Sequence, residues 1–298
     1  MHEFTERRII QDIQNKISLE LSRISLLSRV FSRVKDVQSI NDKLSRKGSQ
    51  YSTSGKKIQD VFGIRINLYF SDDSTIAQDA IKSIYEKVDS TVDKPDLVTF
   101  GPTRCNLVFR LPEDLRKESN LLKRFNLCDS TFEVQFRTVL SEGWHEVEHD
   151  LRYKCSKDWN KHEDLYRALN GIIATLESCD WSMLQIFEEK AWRHYKSKEW
   201  LPMLKAKFRL RIQNAPLSED LDSFLNSDDT LARRLFRIDR GAFIRNLMRY
   251  KIEIPMTPDN LMFICNKFHL GNDAIVRLEP SPIKEVFEGI SVQKDKDS

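Results

Sequence analysis

Residues 131–154, TFEVQFRTVLSEGWHEVEHDLRYK, decide how this chain is read, because a strand pattern runs straight into a helix pattern crowded with ionisable side chains. Over residues 132–137 a period of two sends Phe132, Val134 and Phe136 to one face and Glu133, Gln135 and Arg137 to the other. Burying the first face leaves an acid, an amide and a guanidinium side by side on the second. That face suits a wet cleft or a bound polyanion, or else it is a plain solvated sheet surface. The following segment spells His145-Glu146-Val147-Glu148-His149, the order in which two histidines one helical turn apart hold zinc beside a glutamate base. A zinc hydrolase of that kind needs a third ligand, and His162, His194 and His269 do not have the metzincin spacing. Local hydrogen bonding of both rings on a charged helix is the competing reading.

Working outward, 298 residues with 40% hydrophobic content suffice for one large domain or two modest ones. No apolar run approaches the roughly 20 residues that cross a bilayer. The first sixteen residues, MHEFTERRIIQDIQNK, are charged where a secretion signal is apolar, so the expectation is a cytoplasmic protein with no membrane partner. Five cysteines, Cys105, Cys128, Cys155, Cys179 and Cys265, form no C-x-x-C pair and read as reduced thiols without structural zinc. The net charge of +3 does not mark the whole molecule as a polyanion binder. Charge is concentrated instead in residues 230–251, where Arg233, Arg234, Arg237, Arg240, Arg245, Arg249 and Lys251 face a single acid, Asp239. That helix is either a packing element with a solvated arginine face or a surface for phosphate backbone.

Apolar residues Ile10, Ile13, Ile17, Leu21 and Ile24 predict a helix over residues 5–31, followed by a second over 37–46. Loop composition marks 48–55. Strands are predicted over 64–70, 105–111 and around Glu133, with a helix started by Asp72 or Asp73 and stapled by Ile76, Ala80, Ile81 and Ile84. Helices dominate 139–198, where Leu165, Leu169, Ile172, Ile173 and Leu176 make one stripe. The order implies an α+β fold, a small mixed β-sheet flanked by helices, over residues 1–200. A mainly helical C-terminal unit follows over 201–298, with helix starts at Asp220, Asp228 and Pro258 and a disordered tail from Gln293.

Phosphate chemistry here has no P-loop behind it: Ser54-Gly55-Lys56-Lys57 fails the Walker pattern in glycine spacing and at the hydroxyl. Side chains must serve instead. Lys35, Ser39 and Lys43, spaced i, i+4 and i+8, put two ammonium groups and a hydroxyl on one helical face, with Arg33 just ahead to clamp phosphates or stack on a base. A solvated basic face has the same pattern. Asp60 enters the first strand and Glu133 lies on another strand of the same sheet, so the two carboxylates make a natural Mg²⁺ pair beside substrate phosphates.

Together these segments resemble the synthetase domain of RelA/SpoT-type alarmone synthetases. That pattern runs R-x-K-S-x-x-S-x-x-x-K, then D-x-x-G-x-R, then E-[VI]-Q-[IVF]-R-T, then an acidic, His-containing helix ending Y-K, matched in order over about residues 30–155. The resemblance implies a nucleotidyltransferase-like synthetase domain in which Arg33 stacks on the adenine of ATP and Lys35, Ser39 and Lys43 hold its phosphates. Asp60 and Glu133 would be catalytic and bind Mg²⁺, Arg65 would line the ATP pocket, and Arg104, Asn106, Gln135, Arg137 and His149 would line the pocket or acceptor side. Implied with it is transfer of the β,γ-pyrophosphate of ATP to a ribose 3′-hydroxyl, that of GDP or GTP, giving ppGpp or pppGpp. The departures lie on the acceptor side: the family's G-Y-x-S-x-H is Gly101-Pro102-Thr103-Arg104-Cys105-Asn106 here, and Asp36 replaces a serine. Arg104 offers a planar guanidinium in place of the stacking tyrosine. Only about thirty residues precede Arg33, so the family's hydrolase domain is not expected, and His149-Asp150 is not read as its metal pair. Three further readings stay open: a toxic member that pyrophosphorylates the tRNA 3′ end, a nucleotide-sensing module without catalysis, and the zinc hydrolase. A homo-oligomer, or a regulatory partner on the C-terminal unit, is a further expectation.

Overall fold

The structure, a computed structural model, describes residues 2–47, 50–52, 55–92 and 105–296. Five strands form one mixed sheet: β1 (Ser28–Val34), β2 (Phe62–Leu68), β3 (Lys87–Val92), β4 (Cys105–Arg110) and β5 (Thr131–Thr138), in spatial order β1-β2-β5-β4-β3. β2 and β5 pair in parallel, and the other neighbours are antiparallel. Period-two alternation holds in the centre: Ile64, Ile66, Phe132 and Val134 are buried, while Arg65, Glu133 and Gln135 reach the other face half-buried. Phe132 stacks on Phe109 at 5.6 Å and meets Tyr85 edge-on at 4.9 Å, which anchors β5 and β4 to one core.

The helices of this region are α1 (His2–Arg23), α2 (Val37–Lys47), α3 (Ser74–Ile84), α4 (Glu113–Glu118), α5 (Asn120–Arg124), α6 (Val139–Val147), α7 (Ser156–Trp159) and α8 (Glu163–Lys196). The helix expected over 5–31 stops at Arg23. Ser25 takes a left-handed φ of 57°, and residues 28–34, alternating in exposure, become the edge strand β1 paired with β2. Cross-strand pairing thus overrides the helical run of apolar residues. Lys35 accordingly precedes α2 and does not share a helical face with Ser39 and Lys43. β3, α4 and α5 were not anticipated, and no side-chain cap from Asp72 or Asp73 opens α3. In α8 the expected stripe splits: Ile173 is buried, whereas Leu165 and Ile172 are exposed.

The chain divides into two compact units, Met1–Glu20 with Ser28–Trp181, and Leu21–Leu27 with Ser182–Ser298. The boundary falls inside α8, where the apolar pattern had suggested 200/201. The second unit contains α9 (Trp200–Phe208), α10 (Glu219–Ser227), α11 (Asp229–Phe236), α12 (Arg240–Arg249), α13 (Pro258–Cys265), α14 (Asp273–Leu278) and α15 (Ser281–Lys296). Asp228 caps α11 through its carboxylate, and Thr257 with Pro258 starts α13. Asp220 lies in the first turn of α10, which Ser218 precedes. The arginine-rich stretch 230–251 is two helices rather than one, broken where Asp239 caps α12. Two of its cations are structural: buried Arg240 donates to the Phe208 carbonyl at 2.5 Å, and Arg234 to that of Leu270 at 2.5 Å. The tail expected to be disordered from Gln293 continues α15 to Lys296, and 297–298 lie outside the described residues. No helix of the described residues is long and apolar enough to cross a membrane.

Candidate active site

The polar face of the sheet gathers side chains from four adjacent strands, β1, β2, β5 and β4, and the loop before β2. Parallel pairing sets Gly63 beside Glu133 and Arg65 beside Gln135, while antiparallel β4 sets Asn106 beside Gln135. The Glu133 carboxylate accepts one amide hydrogen on each oxygen, from Asn106 Nδ2 at 2.9 Å and Gln135 Nε2 at 2.9 Å. On the opposite side Arg33, at the end of β1, lies across Gly63. A Cβ there would stand 3.5 Å from Arg33 Cγ, an ordinary contact, so the Arg33 stem lies close over this position with room for no more than a methyl group.

Asp60 sits where the chain enters β2 and is clamped by two ammonium groups, Lys35 Nζ at 2.6 Å and Lys43 Nζ at 2.9 Å. Burial pushes the Asp60 carboxyl up, but the two lysines outweigh it and hold the acid below its usual value. Burial lowers the Lys43 ammonium too, and the Asp60 carboxylate more than reverses this, so its pKa is raised. Asp60, Glu133, Arg33, Arg65 and Gln135 together line a cleft of about 180 Å³.

α6 closes one side of this cleft with acids. Glu142 accepts from Arg65 at 2.5 Å and from Arg137 at 3.4 Å, and Glu146 pairs with Arg65 as well. His145 between them is buried, and its pKa is pushed down to about 3 by burial and then by the Arg137 and Arg65 charges. It is therefore a neutral ring at any physiological pH. His149 lies in a π-helical turn, Glu148–Tyr153, that continues α6; it is half-buried, stacks on Tyr153 at 5.9 Å and bonds Asp150 at 2.9 Å. One ring packed inward and one bonded outward do not form the zinc site that H-E-x-x-H suggests. Among the described residues no group of three or more His, Cys, Asp or Glu is arranged to hold a metal.

Of the residues singled out from the sequence, Arg33, Lys35, Lys43, Asp60, Arg65, Asn106, Glu133, Gln135 and Arg137 come together here. Ser39 and His149 do not: the Ser39 hydroxyl donates to Asp36 at 2.8 Å, closing the start of α2. Arg104, with 101–103, lies outside the described residues. The reading from sequence missed Glu142 and Glu146. Their signal was present as two acids at i, i+4 directly after a strand whose outward face carries Arg137.

Residues 32–158 match the profile of a region found in RelA / SpoT proteins. GTP pyrophosphokinase YwaC of Bacillus subtilis is 29% identical over 133 residues, 43% of this chain and 59% of that protein, so less than two thirds of the relative is spanned. The small alarmone synthetase 1 of Bacillus subtilis, in its crystal structure bound to its product pppGpp, superposes with a TM-score of 0.50 at 23% identity. The match covers 61% of this chain and 92% of that one, and shows a shared fold.

Proposed function

We propose that this chain, whose residues 32–158 match a region found in RelA / SpoT proteins, is an ATP-dependent pyrophosphotransferase that moves the β,γ-pyrophosphate of ATP onto the ribose 3′-hydroxyl of GDP or GTP. The observation that carries the reading is the placement of Asp60, clamped by Lys35 and Lys43, and Glu133, hydrogen-bonded by the Asn106 and Gln135 amides, in one cleft. It is an arrangement of hard oxygen donors next to exchangeable cations. YwaC's name and the pppGpp carried by the Bacillus synthetase support the same acceptor class.

In the reaction the 3′-oxygen attacks the β-phosphorus, the bond from that phosphorus to the α,β-bridging oxygen breaks, and AMP leaves. Glu133 takes the hydroxyl proton, and Asn106 and Gln135 fix its carboxylate for that transfer. Lys35 and Lys43 exchange Asp60 for phosphate oxygens, and Arg33 stacks on the adenine. Asp60 and Glu133 fit a magnesium ion, which takes one or two carboxylates plus phosphate oxygens. When bound, that ion neutralises charge on the transferring group.

A tRNA 3′ end as acceptor draws less support, because Arg234 and Arg240 of the basic stretch are spent on backbone carbonyls. The test is γ-³²P-ATP with Mg²⁺, offering GDP, GTP and bulk tRNA separately, with Asp60→Asn as control. Label on GDP or GTP with AMP release is expected. ATP binding without AMP from any acceptor overturns the reading, and label on tRNA alone replaces the acceptor.

A further inference from the structure

A second cavity, of about 730 Å³, opens between the first turns of α1, the end of β1 and α5, and Arg33 walls both it and the catalytic cleft. Its floor is apolar, from Ile10, Val34, Leu121 and Phe125, and its size falls within the range of about 300–1,000 Å³ that small-molecule sites occupy. Both acids in its wall are already committed. Glu6, 2% exposed, accepts from Ser119 Oγ at 2.9 Å and Leu121 N at 2.8 Å, which ties α1 to α5 and preforms the cavity. Asp36 accepts from Ser39 N at 2.7 Å and Ser39 Oγ at 2.8 Å. The basic lining residues Arg7, Arg33, Lys35 and Arg124 therefore set the sign of the charge, and the Arg124 guanidinium lies 5.3 Å from the centre of the Phe125 ring, a cation beside an aromatic face.

We propose that this cavity binds a small planar anion, an aromatic ring bearing a phosphate or sulfonate group, and that its occupant is felt in the cleft through Arg33. The ring lies on the apolar floor and the anion meets Arg124. The binding half stands by itself; the coupling half rests on the pyrophosphotransfer reading.

The experiment titrates the full chain with 8-anilinonaphthalene-1-sulfonate by fluorescence, in parallel with Arg124→Glu, Leu121→Trp and, as a control outside the cavity, Glu133→Gln. Wild type and Glu133→Gln bind the probe alike, whereas Arg124→Glu weakens it about tenfold, the loss of one ion-paired contact. Leu121→Trp fills the floor and acts in the same direction. If Leu121→Trp loses its circular-dichroism melt, Arg124→Glu, on a short surface helix, decides alone. Equal binding by wild type and Arg124→Glu would mean an adventitious additive only and overturns the site. With the probe bound, the KM for ATP shifts in wild type and not in Arg124→Glu; an unchanged KM overturns the coupling. If wild type forms no AMP, the reaction reading fails while the titration still decides the site.

Discussion

Gly63 shows how one missing side chain shapes the cleft. A Cβ at this position would rest in ordinary contact with Arg33, so Gly63→Ala leaves Arg33 in place, whereas the branched side chain of Gly63→Val lifts it off β2. The expected outcome is near-normal ATP binding for the alanine variant and a loss of about tenfold for the valine variant, about 1.4 kcal/mol, read by calorimetric titration. Equal affinities would remove Arg33 from the ATP site. His145 makes a prediction of the opposite kind, about folding and not catalysis. Its folded pKa, about 3, lies below the ordinary 6.5, so the unfolded chain binds the extra proton between these values. The stabilising effect is complete above pH 6.5 and is lost as pH falls toward 3, by up to about 1.4 kcal/mol per pH unit. Arg137 and Arg65 face the ring and deepen the shift. His145→Gln should flatten the fall of the melting temperature over that window, and a curve identical to wild type would count against a buried neutral ring.

At the level of elements, α6 acts on β2 and β5 through two acids that differ in burial. The Glu142 side chain is 16% exposed and serves both Arg65 and Arg137, while that of Glu146 is 51% exposed and serves Arg65. Glu142→Gln should cost about 1.5–3 kcal/mol of folding stability, measured by urea unfolding, because Arg137 loses its carboxylate partner and Arg65 one of its two. Glu146→Gln should cost little stability and lower the KM for ATP about two- to fivefold, since an exposed ion pair worth up to about 1 kcal/mol no longer competes for Arg65. A raised KM would show instead that Glu146 orients Arg65 for the nucleotide. β1 teaches a related lesson. The amphipathic run predicts a helix as far as Phe31, but the edge of β2, from Phe62 to Leu68, offers residues 28–34 backbone partners that a helix cannot use. The consequence is functional, because Arg33 and Lys35 reach the cleft from a strand and its exit, while Lys43 alone reaches Asp60 from α2.

For the whole molecule, the segment Leu21–Leu27 belongs with the second compact unit. Arg23 donates to the Leu247 carbonyl at 2.9 Å and Arg211 N to that of Ser25 at 2.8 Å, while Leu21, Ile24 and Leu26 are buried. A fragment of residues 1–200 therefore leaves three apolar side chains without their surroundings, a loss of roughly 1.5–3 kcal/mol for each. Such a fragment should melt well below the full chain or aggregate. An unchanged melting temperature would mean that the first unit is closed without its neighbour's residues.

The sequence by itself determined the alternation of β5, which puts Glu133, Gln135 and Arg137 on one face, and the order of the basic and acidic motifs. Both follow from local periodicity and residue chemistry, which need no knowledge of neighbours. Only the tertiary structure decided that residues 28–34 are a strand, that Ser39 turns to Asp36 and that His149 stands apart from the cleft. It also decided that Glu142 and Glu146 hold the arginines. Apart from the local Ser39–Asp36 contact, those outcomes depend on which groups compete for one another across tens of residues of chain, and that competition is settled by pairing and burial.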